Sequence, residues 1–347
     1  MNSENLRQAA DKSILIFSQQ AGSAAALIPV IGKLMSAGLM LDIYALPPSD
    51  IVYKKHYSKI MSWVDFPAKE FSLLLTGYGH PKHTINREIF REAGKRGLFS
   101  IAFLDNYKGL ERFLEPDGGL THDMPDILAV MDSAAKTALA DMGMPEDKLV
   151  VTGHPYLEKC SLTKMSEKVK TETKKKLSIP EDKEVCFLAS EIIHSHSFYE
   201  PCDAGCGSLF DMDAGGVALK AKIVEKEGKD VLILVRPHPN EKNKVDNRLR
   251  RIGFEEADEM TVLGISDRVY GLTSMFTQLS VAYGVPTYNV EPFLSGWSPE
   301  NSFLLPRLWN YLAGHGYLGD WKEVKASAPD HRGAVDAVAG LVLSKLK

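Results

Sequence analysis

Short apolar runs recur along the chain, and each is followed by a longer stretch of mixed residues. Ser13–Ser18, Leu39–Leu46, Phe71–Thr76, Leu98–Leu104, Asp126–Met131 and Leu149–Thr152 are the runs of the first half. Brief apolar runs bounded by turn residues predict strands covered on both faces. The segments between them carry helical signals: Ala24–Ala37 stopped by Gly38, about Tyr53–Trp63, Thr84–Lys95, and Ser133–Met142 stopped by Gly143. Gln19–Ser23 reads as a small-residue loop through which a ligand could approach a helix N-terminus. It lacks the G-x-G-x-x-G spacing, so it carries no dinucleotide signature. Lys108–Asp123 reads as a loop with a short helix, and Arg112 within it as a residue near the strand ends.

The pattern then breaks. Lys164–Lys183 is rich in Lys and Glu around Pro180 and predicts one exposed helix and a linker, with Lys174–Lys176 on its solvated face. A second strand–helix series follows. Strands are expected at Glu184–Ala189, Val231–Val235, Met260–Leu263, Val269–Leu272 and Val285–Val290. Helices are expected at Gly215–Gly228, Lys242–Ile252 and from Thr273 to Tyr283. The tail predicts helices at Pro306–Ala313 and Arg332–Lys347, and Trp297, Trp309 and Trp321 suit packing against the rest of the protein. This alternation predicts an α/β protein of two Rossmann-like domains, with parallel sheets facing across a crevice. The expected boundaries are 1–160, a linker at 161–183, 184–325, and a C-terminal helix at 326–347 returning to the first domain.

Composition changes the picture little. An apolar fraction of 44% and a charged fraction of 25% are those of a soluble globular protein. A net charge of −4 argues against a nucleic-acid surface. No apolar run is long enough to span a bilayer, and residues 1–12 lack a secretory pattern; peripheral membrane contact stays compatible. The four cysteines form no disulfide framework and read as reduced thiols of a cytoplasmic protein. His194, His196, Cys202 and Cys206 do not match a common zinc spacing, so no metal is expected.

The candidate chemistry sits at strand exits. Val231–Val235 delivers Arg236-Pro237-His238-Pro239, and each proline stiffens the residue before it. Ligands of open α/β sheets bind beyond the carboxyl ends of the strands, where this Arg and His suit a phosphate. Thr273 and Ser274 open a helix, either as caps or as an anion site on the same ligand. Ser190 and Glu191 leave another strand end, and Glu291 suits ribose hydroxyls. In the first half, Gly22 lies in the small-residue loop. His80 leaves the third strand run, and Asp105 the fourth. Asp105 is either a general base or a carboxylate that binds backbone amides.

These motifs resemble a known family set. Arg236-Pro237-His238-Pro239 resembles the His-Pro motif of bacterial transferases that use cytidine-nucleotide donors. They include sialyltransferases, capsular Kdo transferases and teichoic-acid glycerophosphotransferases. Thr273-Ser274 followed by Gly284-Val285-Pro286 is similar to their Ser/Thr-Ser and E-A-x-x-x-G-x-P patterns. Thr152-Gly153-His154-Pro155 resembles the motif closing the N-terminal domain of UDP-GlcNAc 2-epimerases. The architecture resembles the GT-B glycosyltransferases. The chain departs from these patterns at Leu279-Ser280, which replaces Glu-Ala, and at Met275-Phe276, which replaces small glycine-rich residues. The resemblance implies a donor carrying CMP, CDP or UDP and a glycan or lipid-linked acceptor, with no separate cofactor. Three readings stay open: a metal-independent inverting transferase of surface glycan assembly, a sugar-nucleotide 2-epimerase or hydrolase, and a non-catalytic nucleotide-binding protein.

Overall fold

The computed structural model describes residues 13–78, 85–106, 113, 115, 119–189, 223–236, 249–253, 255–271, 275–289 and 330–346. Its contacts divide the chain into two compact units, residues 1–159 with 330–347, and residues 160–329.

Seven strands form the sheet of the first unit: β1 (Ser13–Ser18), β2 (Met40–Ala45), β3 (Met61–Ser62), β4 (Leu73–Gly77), β5 (Phe99–Phe103), β6 (Ile127–Val130) and β7 (Leu149–Val151). Their order is β3-β2-β1-β4-β5-β6-β7, and every pair is parallel. Ile14, Ile16, Leu73, Leu75, Ile101 and Phe103 meet the helices in one core. Leu15, Phe17, Leu74 and Ala102, which alternate with them, are buried on the opposite face, and that double coverage is why these strands read as unbroken apolar runs. Its helices are α1 (Ala21–Ser36), α2 (Ser49–Lys54), α3 (Ile85–Lys95) and α4 (Ser133–Asp141), and α5 (Pro155–Leu162) spans the division at residue 159. Asp132 caps α4 by accepting from the Ala135 amide at 2.9 Å.

The second unit includes α6 (Glu167–Lys176). Its sheet holds β8 (Glu184–Ala189), β9 (Val231–Arg236), β10 (Leu249–Arg251), β11 (Arg268–Gly271) and β12 (Thr287–Asn289). The order is β10-β9-β8-β11-β12, again all parallel. Helices α7 (Glu259–Ile265) and α8 (Met275–Tyr283) also belong to this unit. A last helix, α9 (Ala334–Lys345), packs in the first unit, with Val338, Ala339 and Val342 in its core.

Several expected elements are corrected. The helix expected over Tyr53–Trp63 is α2, earlier and shorter, and Met61–Ser62 extends the sheet as an edge strand beside Tyr44 and Ala45. Met260–Leu263 lies in a helix, not a strand. Asp258 accepts from the Thr261 amide at 2.8 Å, and that cap nucleates α7. The end of the helix expected over Lys242–Ile252 is strand β10, because Leu249–Arg251 pairs with Ile233–Val235. Residues 241–248 lie outside the described residues, as do the helix expected at Pro306–Ala313 and the three tail tryptophans. Lys174 is not on a solvated face: it is buried, and its Nζ donates to the Lys183 carbonyl at 2.9 Å. Its long stem covers apolar surface while the ammonium finds a carbonyl.

Candidate functional site

In the first sheet the strand order reverses between β1 and β4, and a crevice opens beyond the carboxyl ends at such a switch point. Helix α1 starts three residues earlier than its sequence pattern suggests, so Gly22 lies in its first turn. Small residues permit this close approach. A Cβ added to Gly77, at the end of β4, would lie 2.2 Å from the Ser23 Cβ. A Cβ on Gly22 would lie 2.7 Å from Asp105 Oδ2. The Asp105 carboxyl group therefore sits against the first turn of α1. Asp105 is buried just past β5, so the carboxyl ends of the neighbouring strands β1, β4 and β5 bring Gly22 and Asp105 together. Gln19, also at this edge, is buried, and its Oε1 has no hydrogen-bond partner among the described residues.

The motif reading leaves His154 without a task, and the structure gives it two. Its Nδ1 accepts from the Tyr156 and Leu157 amides at 3.2 and 3.3 Å, capping α5. The ring proton therefore sits on Nε2, which donates to the Asp105 carbonyl at 3.1 Å. The backbone of Asp105 is thus pinned by a residue far along the chain. The His154 amide in turn donates to His331 Nδ1 at 3.3 Å. Burial pushes His154 down to about 3, and pushes His331 down to about 4.

Both folded-state values lie below the ordinary value of about 6.5, so the unfolded chain binds more protons between about pH 6.5 and 4. Stability should fall as pH drops through that window, by about 2 kcal/mol per ring at pH 5. Thermal unfolding followed from pH 7.5 to 5 checks this. The melting temperature should decline, and His331→Asn should flatten roughly half of the decline. A profile equally steep in the variant would remove His331 as a cause.

In the second sheet the order reverses between β8 and β11. Arg236 closes β9 opposite Ala189 of β8, and β8 also pairs with β11. Thr277 of α8 packs onto Gly271 at the end of β11, and Phe276 lies 4.7 Å from Phe187, centroid to centroid. The first turn of α8 is therefore seated over the switch point. Arg236 is buried, with Nε and Nη2 donating to the Ile252, Gly253 and Ala257 carbonyls. Burial lowers its pKa, against the pull of Glu259, Asp258, Glu255 and Glu256. These bonds tie the end of β9 to the segment that follows β10.

His80, Ser190, Glu191, His238, Thr273, Ser274 and Glu291 lie outside the described residues, as do Arg112 and the His194, His196, Cys202 and Cys206 cluster. Among the described residues, no group of three His, Cys, Asp or Glu side chains could hold a metal ion. No described helix is long and apolar enough to cross a membrane.

No family model and no curated protein matches the chain. Solved structures do. UDP-GlcNAc 2-epimerase from Neisseria meningitidis bound to UDP-GlcNAc matches at TM-score 0.62 and 11% identity, over 96% of this chain and 94% of that one. S. aureus MnaA, in a co-structure with UDP, matches at 0.60 and 13% identity, over 96% and 90%. The glycotransferase of kitacinnamycin matches at 0.50 and 12% identity, over 96% and 92%. At such identities the likeness shows the fold. Together with the two parallel sheets and their switch points, it makes the chain a GT-B-like protein of two Rossmann-like units.

Proposed function

We propose that the chain is a nucleotide-sugar-dependent glycosyltransferase, or a glycerophosphotransferase-like enzyme, of surface polysaccharide or glycoconjugate biosynthesis. The observation that carries this is the strand order of the second sheet. The segments bearing His238, Ser190-Glu191 and Thr273-Ser274 leave the carboxyl ends of three contiguous parallel strands, β9, β8 and β11. A diphosphate or monophosphate placed there meets an Arg-His loop and a helix start. The solved structures with UDP-GlcNAc or UDP on the same fold support a nucleotide-linked sugar as the ligand.

In this reading residues 184–325 hold the donor and residues 1–160 the acceptor. His238, Thr273 and Ser274 bind the donor phosphate, Arg236 anchors the loop and adds charge, and Glu291 takes the ribose. Ser190 and Glu191 line the same edge. The acceptor hydroxyl oxygen attacks the anomeric carbon as the bond to the phosphate oxygen breaks, inverting the centre. The hydroxyl proton passes to the Asp105 carboxylate, with His80 as the alternative base, and Gly22 leaves room beside it. Arg, His and the helix dipole stabilise the leaving phosphate without a metal, and the nucleotide sugar is substrate rather than cofactor.

The test is a thermal-shift series with CMP, CDP, UDP, GDP and ADP on wild type and His238→Ala. A nucleotide at about 100 times its Kd should stabilise the fold by about 2.7 kcal/mol, and the shift should vanish in the variant. Transfer should fall about 10²–10³-fold with it. No shift with any nucleotide would sink the donor site. The fold likeness to 2-epimerases favours a second reading, sugar-nucleotide epimerisation or hydrolysis. Product from a UDP-N-acetylhexosamine without acceptor would select it. Nucleotide binding without any turnover would select the non-catalytic reading.

A further inference from the structure

Up to Leu104, the strand that delivers Asp105 is held by its sheet. Phe103 accepts from the Tyr78 amide at 3.0 Å, and Leu104 donates to the Ala129 carbonyl at 2.9 Å. One residue further, the Asp105 carbonyl accepts from a side chain, His154 Nε2, at 3.1 Å. The direction of the Asp105 carboxyl group follows from how this peptide is turned. That direction matters, because the group already lies against Gly22 in the first turn of α1.

His154 serves two partners with two ends of one ring. Nδ1 accepts from the Tyr156 and Leu157 amides at 3.2 and 3.3 Å. That is an ordinary helix cap, which the short side chains of Asn, Asp, Ser or Thr supply equally well. Such side chains end at the cap. Imidazole carries an acceptor and a donor on separate nitrogens, so it caps α5 and also donates to Asp105. Burial keeps the ring neutral, and Nδ1 stays an acceptor. The ring is held in place. Phe103 meets it edge-on at 5.3 Å, the His154 amide donates to His331 Nδ1 at 3.3 Å, and Gly153 packs on Ala334. All of these residues belong to the first unit.

We propose that His154 is the positioning residue of Asp105: its Nε2–H fixes the strand-exit peptide and so aims the carboxyl group at the acceptor hydroxyl. The aiming rests on the transferase reading above. Two substitutions separate this role from a helix cap. The Asn amide stands where Nδ1 stands and stops short of Asp105. The longer Gln amide extends as far as Nε2 and can donate there, but caps a helix poorly.

The full-length wild type, His154→Asn and His154→Gln are compared. Hydrogen exchange reads the tie without any substrate. In His154→Asn, residues 103–106 should exchange at least about tenfold faster, with residues 156–157 as in wild type; His154→Gln should show the reverse. Nucleotide release from UDP-GlcNAc, CMP-sialic acid and CDP-glycerol is measured on the same samples, with water in place of the acceptor hydroxyl. For the probe that wild type turns over, kcat should fall about 10²-fold in His154→Asn at constant KM, and stay within about tenfold in His154→Gln. Unchanged exchange at residues 103–106 in His154→Asn, or a greater loss of kcat in His154→Gln than in His154→Asn, would overturn the assignment and leave a helix cap. The nucleotide thermal shift is recorded as well. The expected exchange pattern with a nucleotide shift but no release by wild type overturns the aiming alone. Without a nucleotide shift, it overturns the transferase reading too, and the tie to Asp105 stands by itself.

Discussion

Asp105→Asn should lower turnover by about 10²–10⁴-fold, the range of a lost general base, while the folded state persists. The side chain keeps its shape, and the backbone stays held by the His154 ring at 3.1 Å. On the proposed transferase reading, what changes is the ability to take a proton from an acceptor hydroxyl at the carboxyl edge of the first sheet. The competing role is structural. The side chain lies against the first turn of α1, and losing its contacts there should cost about 0.5–2 kcal/mol. The two roles separate cleanly in measurement. Turnover at saturating substrates, the nucleotide thermal shift and the melting temperature are recorded on one preparation. A large loss of turnover with an intact nucleotide shift assigns the base. A lowered melting temperature with wild-type turnover makes Asp105 a helix anchor and moves the proton acceptor elsewhere.

Gly153→Ala should destabilise the first unit by about 2–5 kcal/mol. Two costs add. Gly153 has φ +79, a left-handed conformation that costs a side-chain residue about 1–2 kcal/mol. The new Cβ would also lie 2.8 Å from the Ala334 Cβ and 3.4 Å from its Cα, where neither group can swing aside. Such overpacking typically costs about 1–3 kcal/mol more. The clash falls on the start of α9, whose Gly333 and Val335 amides donate to Glu158 at 2.6 and 2.8 Å. Calorimetry should show the transition lowered by roughly 5–15 °C. Limited proteolysis should then release the segment after residue 330 sooner. Gly38→Ala is the control: its φ is +83, and nothing lies within 4 Å of the added atom. Equal losses in the two variants would show that backbone conformation, not packing on α9, sets the cost.

Which parts were readable from sequence follows from the range of the forces involved. Strands β1 and β8 match their expected spans because burial on both faces makes the local pattern strong. Where the local signal is short, tertiary pairing overrides it. Leu249–Arg251 carries helix-compatible residues, yet lies along Ile233–Val235 as an edge strand. Arg250 there also donates to the Leu177 and Ser178 carbonyls, contacts no local window contains. Met260–Leu263 looked like a strand by apolarity, but the Asp258 cap was the better signal, and it stood in plain sight in the sequence. For the site, strand exits flagged Asp105 and Arg236 by position. Their surroundings were not legible: the α1 turn beside Asp105, and the carbonyls of residues 252, 253 and 257 around Arg236.

By itself, then, the sequence determined the α/β alternation and the parallel character of both sheets. These depend on periodicity and turn residues, which act within about ten positions of the chain. Only the tertiary structure decided the order of the strands, and with it which exits are neighbours. It alone gave His154 its hold on Asp105 across 49 positions, and its meeting with His331 across 177. Such contacts form because the folded sheet and its helices bring distant groups within bonding reach, and a linear pattern carries no record of that proximity.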